Sequence, residues 1–241
     1  MLNKCEIQIK ENYSRVLENV NTAVSTSSMS VDQVKIVVVS KIHKIEIIQS
    51  AINVGIRTFG ENYIEEALGK IEHFSNIPDI SWHMIGHVQS RKANFAAINF
   101  DLIHSVDNNK LASRLDRFAI ENNRKTKILV ECNISGEESK FGYPAAQKSN
   151  WGKIAEEFNK LSDNTNIEIL GLMTMPPIFS DPEESRPYFI KLRELRDYLA
   201  QQFPHIALKE LSMGTSTDYK VAVAEGASIV RIGTAILGSR Y

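Results

Sequence analysis

Val34-Lys35-Ile36-Val37-Val38-Val39-Ser40 is a mostly β-branched run with no polar alternation. β-Branched side chains suit extended backbone. A short run that is apolar on both alternations reads as a strand covered on both faces, the usual condition of a parallel sheet. Upstream, Cys5, Ile9, Tyr13, Val16, Leu17, Val20 and Val24 recur at steps of three and four. That spacing is one apolar stripe on a helix, and a polar stretch at 25–30 ends it.

Downstream the rhythm repeats. A helical pattern around Ile45, Ile48, Ala51 and Ile52 leads through Gly55 to a short strand at 58–60, followed by a helix with Ile64, Ala67, Leu68 and Ile71. Strands are expected at 80–86, 101–104 and 127–132, separated by helices carrying Val88, Ala93 and Ala97, then Leu111, Leu115 and Phe118. A helix at 151–161, a strand at 167–171, a helix at 184–203, a strand at 207–211, a helix at 219–225 and a strand at 228–232 complete the series. Eight strands alternating with helices, about thirty residues per unit, are the arithmetic of an α/β (β/α)8 TIM barrel. The extra N-terminal helix would cap its outside or its bottom. A doubly wound open sheet is the alternative. No linker, low-complexity tract or charge block interrupts the pattern, so residues 1–241 are expected to form a single barrel domain.

Composition narrows the function. With 43% hydrophobic and 24% charged residues, the 241-residue chain can bury a sizeable core without staples. Lys plus Arg number 28 against 29 Asp plus Glu, a net charge of -1. No general field attracts nucleic acid or a membrane surface, so any anion site must be local. Cys5 and Cys132 are too few for a disulfide framework and fit neither a zinc site nor a redox pair, as expected in a reducing compartment. The start, Met1-Leu2-Asn3-Lys4-Cys5-Glu6, soon turns polar and resembles neither a signal peptide nor an anchor. A cytoplasmic location is expected.

In such a barrel the active face is built from residues that follow the strands. Lys41 follows the valine run. A lysine at that mouth is partly desolvated, which lowers its pKa and suits it to attack a carbonyl and form a Schiff base. Taken alone it reads first as a snorkelling lysine or an ion-pair partner. Around the last two strands, Ser212, Gly214, Thr215, Ser216, Gly233 and Thr234 supply hydroxyls and accessible amides. Barrels commonly hold phosphate there with a helix N-terminus, which a helix starting near Thr217 would provide; plain N-caps are the alternative. No P-loop or dinucleotide-binding glycine motif is present.

Other candidates weaken. His83 and His87 are four apart but lack a metalloprotease glutamate, so no metal site is expected. Cys132 reads as a small core residue, and Trp82 and Trp151 as packing. His104 with Asp107 would make an acid/base pair, or His104 is simply an imidazole satisfied at a strand end. A reactive amine opposite a phosphate cradle implies a ligand with both a carbonyl and a phosphate. Pyridoxal 5'-phosphate (PLP) meets that demand, as does a phosphorylated sugar in a Schiff-base aldolase. Arg231 separates the two, because an arginine against a pyridine nitrogen keeps it unprotonated and makes the ring a poorer electron sink. An ion pair below the barrel is its alternative role.

The stretches Val38-Val39-Ser40-Lys41, Phe59-Gly60-Glu61-Asn62-Tyr63, His83-Met84-Ile85-Gly86 with Gln89 and Lys92, Asn133-Ile134-Ser135, Gly171-Leu172-Met173, Ser212-Met213-Gly214 with Ser216 and Asp218, and Val230-Arg231-Ile232-Gly233-Thr234 run nearly the length of the chain. Together they resemble the pyridoxal phosphate homeostasis protein family, relatives of the N-terminal barrel of alanine racemase. The resemblance implies PLP held as a Schiff base on Lys41, ring or phosphate contacts from Asn62, Ser212 and Ser216, Arg231 facing the pyridine nitrogen, and phosphate held by Gly233 and Thr234. The family commonly continues from the lysine as x-Lys-Pro, whereas this chain has Ile42-His43-Lys44; Thr215 stands where methionine is usual, and Arg91 where asparagine is usual.

Alanine racemases carry a second β domain whose tyrosine, from a partner subunit, serves the opposite face of the cofactor, and this sequence ends directly after the eighth unit. Two-sided proton transfer needs acid/base groups on both faces, and only Lys41 is evident. The expectation is a monomeric PLP carrier in vitamin B6 homeostasis, supplying PLP-requiring apoenzymes, with no catalytic residue of its own. A single-domain PLP-dependent racemase, pairing Lys41 with His104 or Tyr63, is the first alternative. A phosphosugar aldolase is the second, and the absence of a lysine at Met173-Thr174 counts against it.

Overall fold

The valine run forms β1 (Lys35–Val39) in a computed structural model that describes residues 2–25 and 30–239. Residues 26–29 of the polar stretch, and Tyr241, lie outside the described residues. Around β1 stand β2 (Thr58–Glu61), β3 (Ser81–Met84), β4 (Leu102–Val106), β5 (Thr126–Asn133), β6 (Ile167–Met173), β7 (Glu210–Ser212) and β8 (Ile229–Ile232). All pair in parallel, each with its neighbours in sequence. β1 also pairs with β8, Val37 opposite Arg231, which closes the sheet into the expected eight-stranded barrel rather than an open sheet. A two-residue strand, Tyr143–Pro144, adds to the end of β5.

The helices are α1 (Lys4–Val24), α2 (Ile45–Asn53), α3 (Ile64–His73), α4 (Ala93–Asn99), α5 (Asn109–Glu121), α6 (Trp151–Ser162), α7 (Arg186–Gln202), α8 (Tyr219–Ala224) and α9 (Thr234–Leu237). α1 starts with a capping box in which the Asn3 side chain accepts the Glu6 N–H and the Glu6 carboxylate accepts the Asn3 N–H. Its stripe of Ile9, Val16, Val20 and Val24 is buried against α2, α8 and α9, so the extra helix caps the barrel's outside. The seventh strand starts later than the expected 207–211. Leu208 and Lys209 bond back to the carbonyls of Ile206 and Ala207, so pairing with β6 begins only at Glu210.

Alternation along the strands sorts residues between two cores. Val38, Phe59, Ile103 and Leu172 point outward into the layer shared with the helices, where Trp82 packs against Phe59 and Phe74. Val37, Leu102, Leu129, Met173 and Ile229 form a separate cluster that plugs the barrel. Cys132 is a buried thiol whose pKa burial pushes far up, consistent with packing rather than reactivity.

Candidate functional site

A cavity of about 320 Å³ opens at the C-terminal ends of β1, β2 and β8. Lys41, Asn62, Ser216, Arg231, Gly233 and Thr234 line it, together with Val39, Ile85 and Met175. These six come from four separate segments of the chain, at the C-terminal ends of β1, β2, β7 and β8. Ser212, the seventh residue singled out from sequence, is fully buried and does not line the cavity.

The two loops expected to hold an anion, after β7 and after β8, both reach the cavity, through Thr215, Ser216 and Thr217 and through Gly233 and Thr234. α8 begins at Tyr219, and its N-cap residue Asp218 accepts the Thr215 N–H at 2.6 Å and the Thr215 hydroxyl at 3.0 Å. Asp218 thus occupies that helix end with a carboxylate, which disfavours an anion there. The amides that converge on the cavity wall belong to the turn into α9. Gly233 N–H and Ala235 N–H donate to Ser216 Oγ over 3.3 and 3.4 Å, long bonds from strong donors. Gly214 makes possible the loop after β7 that carries Ser216: its φ of +91° and an added Cβ only 2.6 Å from that of Ala222 both exclude a side chain.

Arg231 is 3% exposed, inside the barrel mouth. Its Nη1 donates to Ser212 Oγ, and its Nη2 to the Thr174 carbonyl at 2.9 Å and Met175 sulfur at 2.9 Å. No carboxylate among the described residues lies within ion-pair distance of it, so the ion pair below the barrel is absent there. Burial lowers its pKa to about 10, opposed by the charges of Asp218 and Glu131; it remains a cation at neutral pH.

Beneath Arg231 runs a hydrogen-bonded chain that the sequence reading missed. Ser212 Oγ lies 2.8 Å from His104 Nδ1, and His104 Nε2 lies 2.9 Å from His83 Nδ1. Burial keeps both imidazoles neutral, His83 at a pKa of about 3 and His104 well below the usual range. A guanidinium only donates. The consistent assignment is therefore Arg231 to Ser212, the Ser212 hydroxyl to His104 Nδ1, and His104 Nε2–H to His83 Nδ1. His104 is thus not paired with Asp107, whose Oδ2 lies 3.2 Å from His87 Nδ1, with the His87 ring stacked on Phe141. The only local signal was two histidines in otherwise apolar strands.

Lys41 follows β1 in a turn closed by His43 N–H bonding to the Ser40 carbonyl at 3.1 Å. Ile42, at the third position of that turn, has a φ of +67°, which a type II turn requires and a β-branched residue resists. Asn62 holds a buried side-chain oxygen with no hydrogen-bond partner among the described residues. Its backbone is packed so closely on Gly86 that a Cβ there would lie 2.3 Å from the Asn62 carbonyl oxygen. Lys41, the buried Arg231, Asn62 and the Gly233–Thr234 turn thus border one space. Among the described residues no group of three His, Cys, Asp or Glu could hold a metal ion, and no helix is long and apolar enough to cross a membrane.

Comparison with known proteins places the chain in a family. Residues 12–241 match the family model of the alanine racemase N-terminal domain. The pyridoxal phosphate homeostasis protein of Aquifex aeolicus is 40% identical over 230 residues, 95% of this chain and 97% of that protein. Its counterpart in Escherichia coli is 32% identical over 96% of this chain and 97% of its own length. The structure of PipY from Synechococcus elongatus, solved with PLP bound, superposes with a TM-score of 0.83 at 35% identity, covering 96% of this chain and all of that one. An alanine racemase of Clostridium difficile shares the barrel at a TM-score of 0.66 and 15% identity, with 56% of its length covered. The chain belongs to the pyridoxal phosphate homeostasis protein family.

Proposed function

We propose that this chain binds PLP in the cavity at the barrel mouth, holds it through Lys41, and takes part in intracellular PLP homeostasis. The carrying observation is that Lys41, Arg231, Gly233 and Thr234 line one cavity although they come from opposite ends of the sequence, with the Gly233 and Ala235 amides gathered on the Ser216 hydroxyl in its wall. The donor set fits the group: the amides and the Thr234 hydroxyl suit a phosphate, the cationic Arg231 suits a ring nitrogen that accepts, and the orphaned oxygen of Asn62 awaits a donor. When bound, PLP supplies an aldehyde with which an uncharged amine condenses with loss of water. Lys41 provides that amine. Ser216 holds the two amides in register, and Ser212 orients Arg231 from below rather than touching the ligand.

Arg231 donating to the ring nitrogen leaves that nitrogen without its own proton, which weakens the ring as an electron sink. The titratable side chains lining the cavity among the described residues are Lys41 and Arg231. His104 is buried beneath them in neutral form, and Tyr63 is exposed outside the lining. Binding and release of PLP, to be passed to PLP-requiring apoenzymes, is therefore favoured over racemisation. The names of the relatives support the same reading.

The test compares purified wild type with Lys41→Ala after incubation with PLP. Wild type should turn yellow and, after borohydride reduction, carry the adduct on the Lys41 peptide; the variant should stay colourless. An adduct on another lysine, or none, would overturn the assignment. Deuterium entering Cα of a single amino-acid enantiomer at enzymatic rates, with loss of optical purity, would establish the racemase reading instead.

A further inference from the structure

Lys70 is not part of the cavity, yet its ammonium is buried directly behind the turn that carries Lys41. The side chain is 5% exposed and comes from the last part of α3. Its three N–H donors are all used: the Ser40 carbonyl at 2.8 Å, Glu61 Oε1 at 2.7 Å and Glu66 Oε1 at 2.5 Å. Each carboxylate then reaches the same turn. Glu61 Oε1 accepts the Ser40 hydroxyl at 2.6 Å, and Glu66 Oε1 accepts the Ile42 N–H at 2.6 Å. The residue before Lys41 and the residue after it are both fastened to one buried cation.

This grip coincides with backbone strain. Ile42 sits at φ +67°, a region that a β-branched residue occupies only where its surroundings hold it there. The Ser40 carbonyl that accepts a hydrogen bond from the Lys70 ammonium also closes the turn by accepting His43 N–H. A buried ion pair is poor as a stability device, since apolar packing of equal volume generally does as well. Packing α3 on the barrel needs no donors aimed at both flanks of Lys41.

We propose that Lys70, acting through Glu61 and Glu66, is the positioning residue for Lys41: it locks the strained turn so that the amine is presented to the aldehyde of the bound ligand. The inference rests on Lys41 being the attachment point for PLP.

The experiment uses the full chain as wild type, Lys70→Met, Glu66→Leu and Glu66→Gln, with two probes. PLP reports covalent capture, followed by absorbance and by borohydride mapping. Pyridoxine 5'-phosphate has an alcohol in place of the aldehyde and reports the cavity alone, by calorimetry. Lys70→Met and Glu66→Leu should slow capture by about tenfold to a hundredfold, the scale of an ångström of misplacement. Glu66→Gln, which keeps an acceptor for the Ile42 N–H, should recover most of that rate. Pyridoxine 5'-phosphate should bind all four within about twofold, because a positional defect of the amine does not reach the phosphate and ring contacts. Unchanged capture rates, or equal weakening of both probes, would overturn the proposal. Wild type failing to form the Lys41 adduct would instead overturn the reading beneath it. Should Lys70→Met not fold, the Glu66 pair decides alone, since that side chain is 29% exposed and its replacement leaves the core intact.

Discussion

At the residue scale the site depends on close approaches as much as on chemistry. Gly86 carries no reacting group, but a Cβ added there would sit 2.3 Å from the carbonyl oxygen and 2.6 Å from the Cα of Asn62. Backbone cannot rotate away as a flexible side chain can, so the turn after β2 must shift. Gly86→Ala should cost about 1–3 kcal/mol of stability, the usual range for overpacking. It should also weaken pyridoxine 5'-phosphate binding, because the Asn62 side chain moves with its backbone. Urea unfolding and calorimetry read the two effects, and a variant that binds as well as wild type would show that Asn62 contributes nothing to the cavity. The contrast with Lys70 is useful: one residue sets the wall, the other the amine.

Among the elements, α1 has an influence that its distance from the cavity conceals. It lies outside the barrel, yet it packs on α8 and α9, the elements that follow the two cavity-lining loops after β7 and β8. Asn12 donates to the Ile236 carbonyl of α9, and Asn19 donates to the Tyr219 hydroxyl of α8. Val20 is 1% exposed at the centre of the buried stripe. Val20→Ala removes two buried methyl groups and leaves a void, a loss of about 2 kcal/mol from transfer and cavity terms together. The urea midpoint should fall accordingly with an unchanged slope. A change below about 0.5 kcal/mol would mean that the helix is poorly packed and does not brace the loops.

Three groups within the barrel, two buried and one partly buried, contribute to the pH dependence of the whole molecule. Unfolded, His83 and His104 titrate near 6.5; folded, His83 falls to about 3 and His104 well below its usual value, both through burial. The folded state therefore binds fewer protons below pH 6.5, and stability falls on acidification by about 1.4 kcal/mol per pH unit for each group. Glu131 acts in the opposite sense. Burial, with Asp107 nearby, raises it from 4.5 to about 7, so its contribution is present below pH 4.5 and is lost as pH rises to 7. Between pH 4.5 and 6.5 these three groups together leave a net rise in stability of about 1.4 kcal/mol per unit toward neutrality. Glu131→Gln removes the opposing group and should steepen the rise in stability with pH by about 1.4 kcal/mol per unit over the same interval. Urea unfolding at pH 5, 6 and 7 for both proteins measures it; equal slopes would show that Glu131 does not retain its proton in the fold.

Local patterning in the sequence determined the barrel and the outline of its mouth. β-Branched runs such as 34–40 can be satisfied only as covered strands, and the residue after each such run must lie at the strand's C-terminal end, so Lys41, Asn62, Gly233 and Thr234 were legible one loop at a time. What only the tertiary structure decided are the contacts made by barrel closure. Ser212 meets His104 across 108 residues and Arg231 across 19, while Lys70 reaches back 30 residues to Ser40. Even the Glu66–Lys70 pair, whose spacing marks it as one helical turn, reads from sequence as a solvated surface pair. Its burial, and the strain it holds at Ile42, arise because α3 is pressed onto the turn after β1, and no periodicity along the chain encodes that distance.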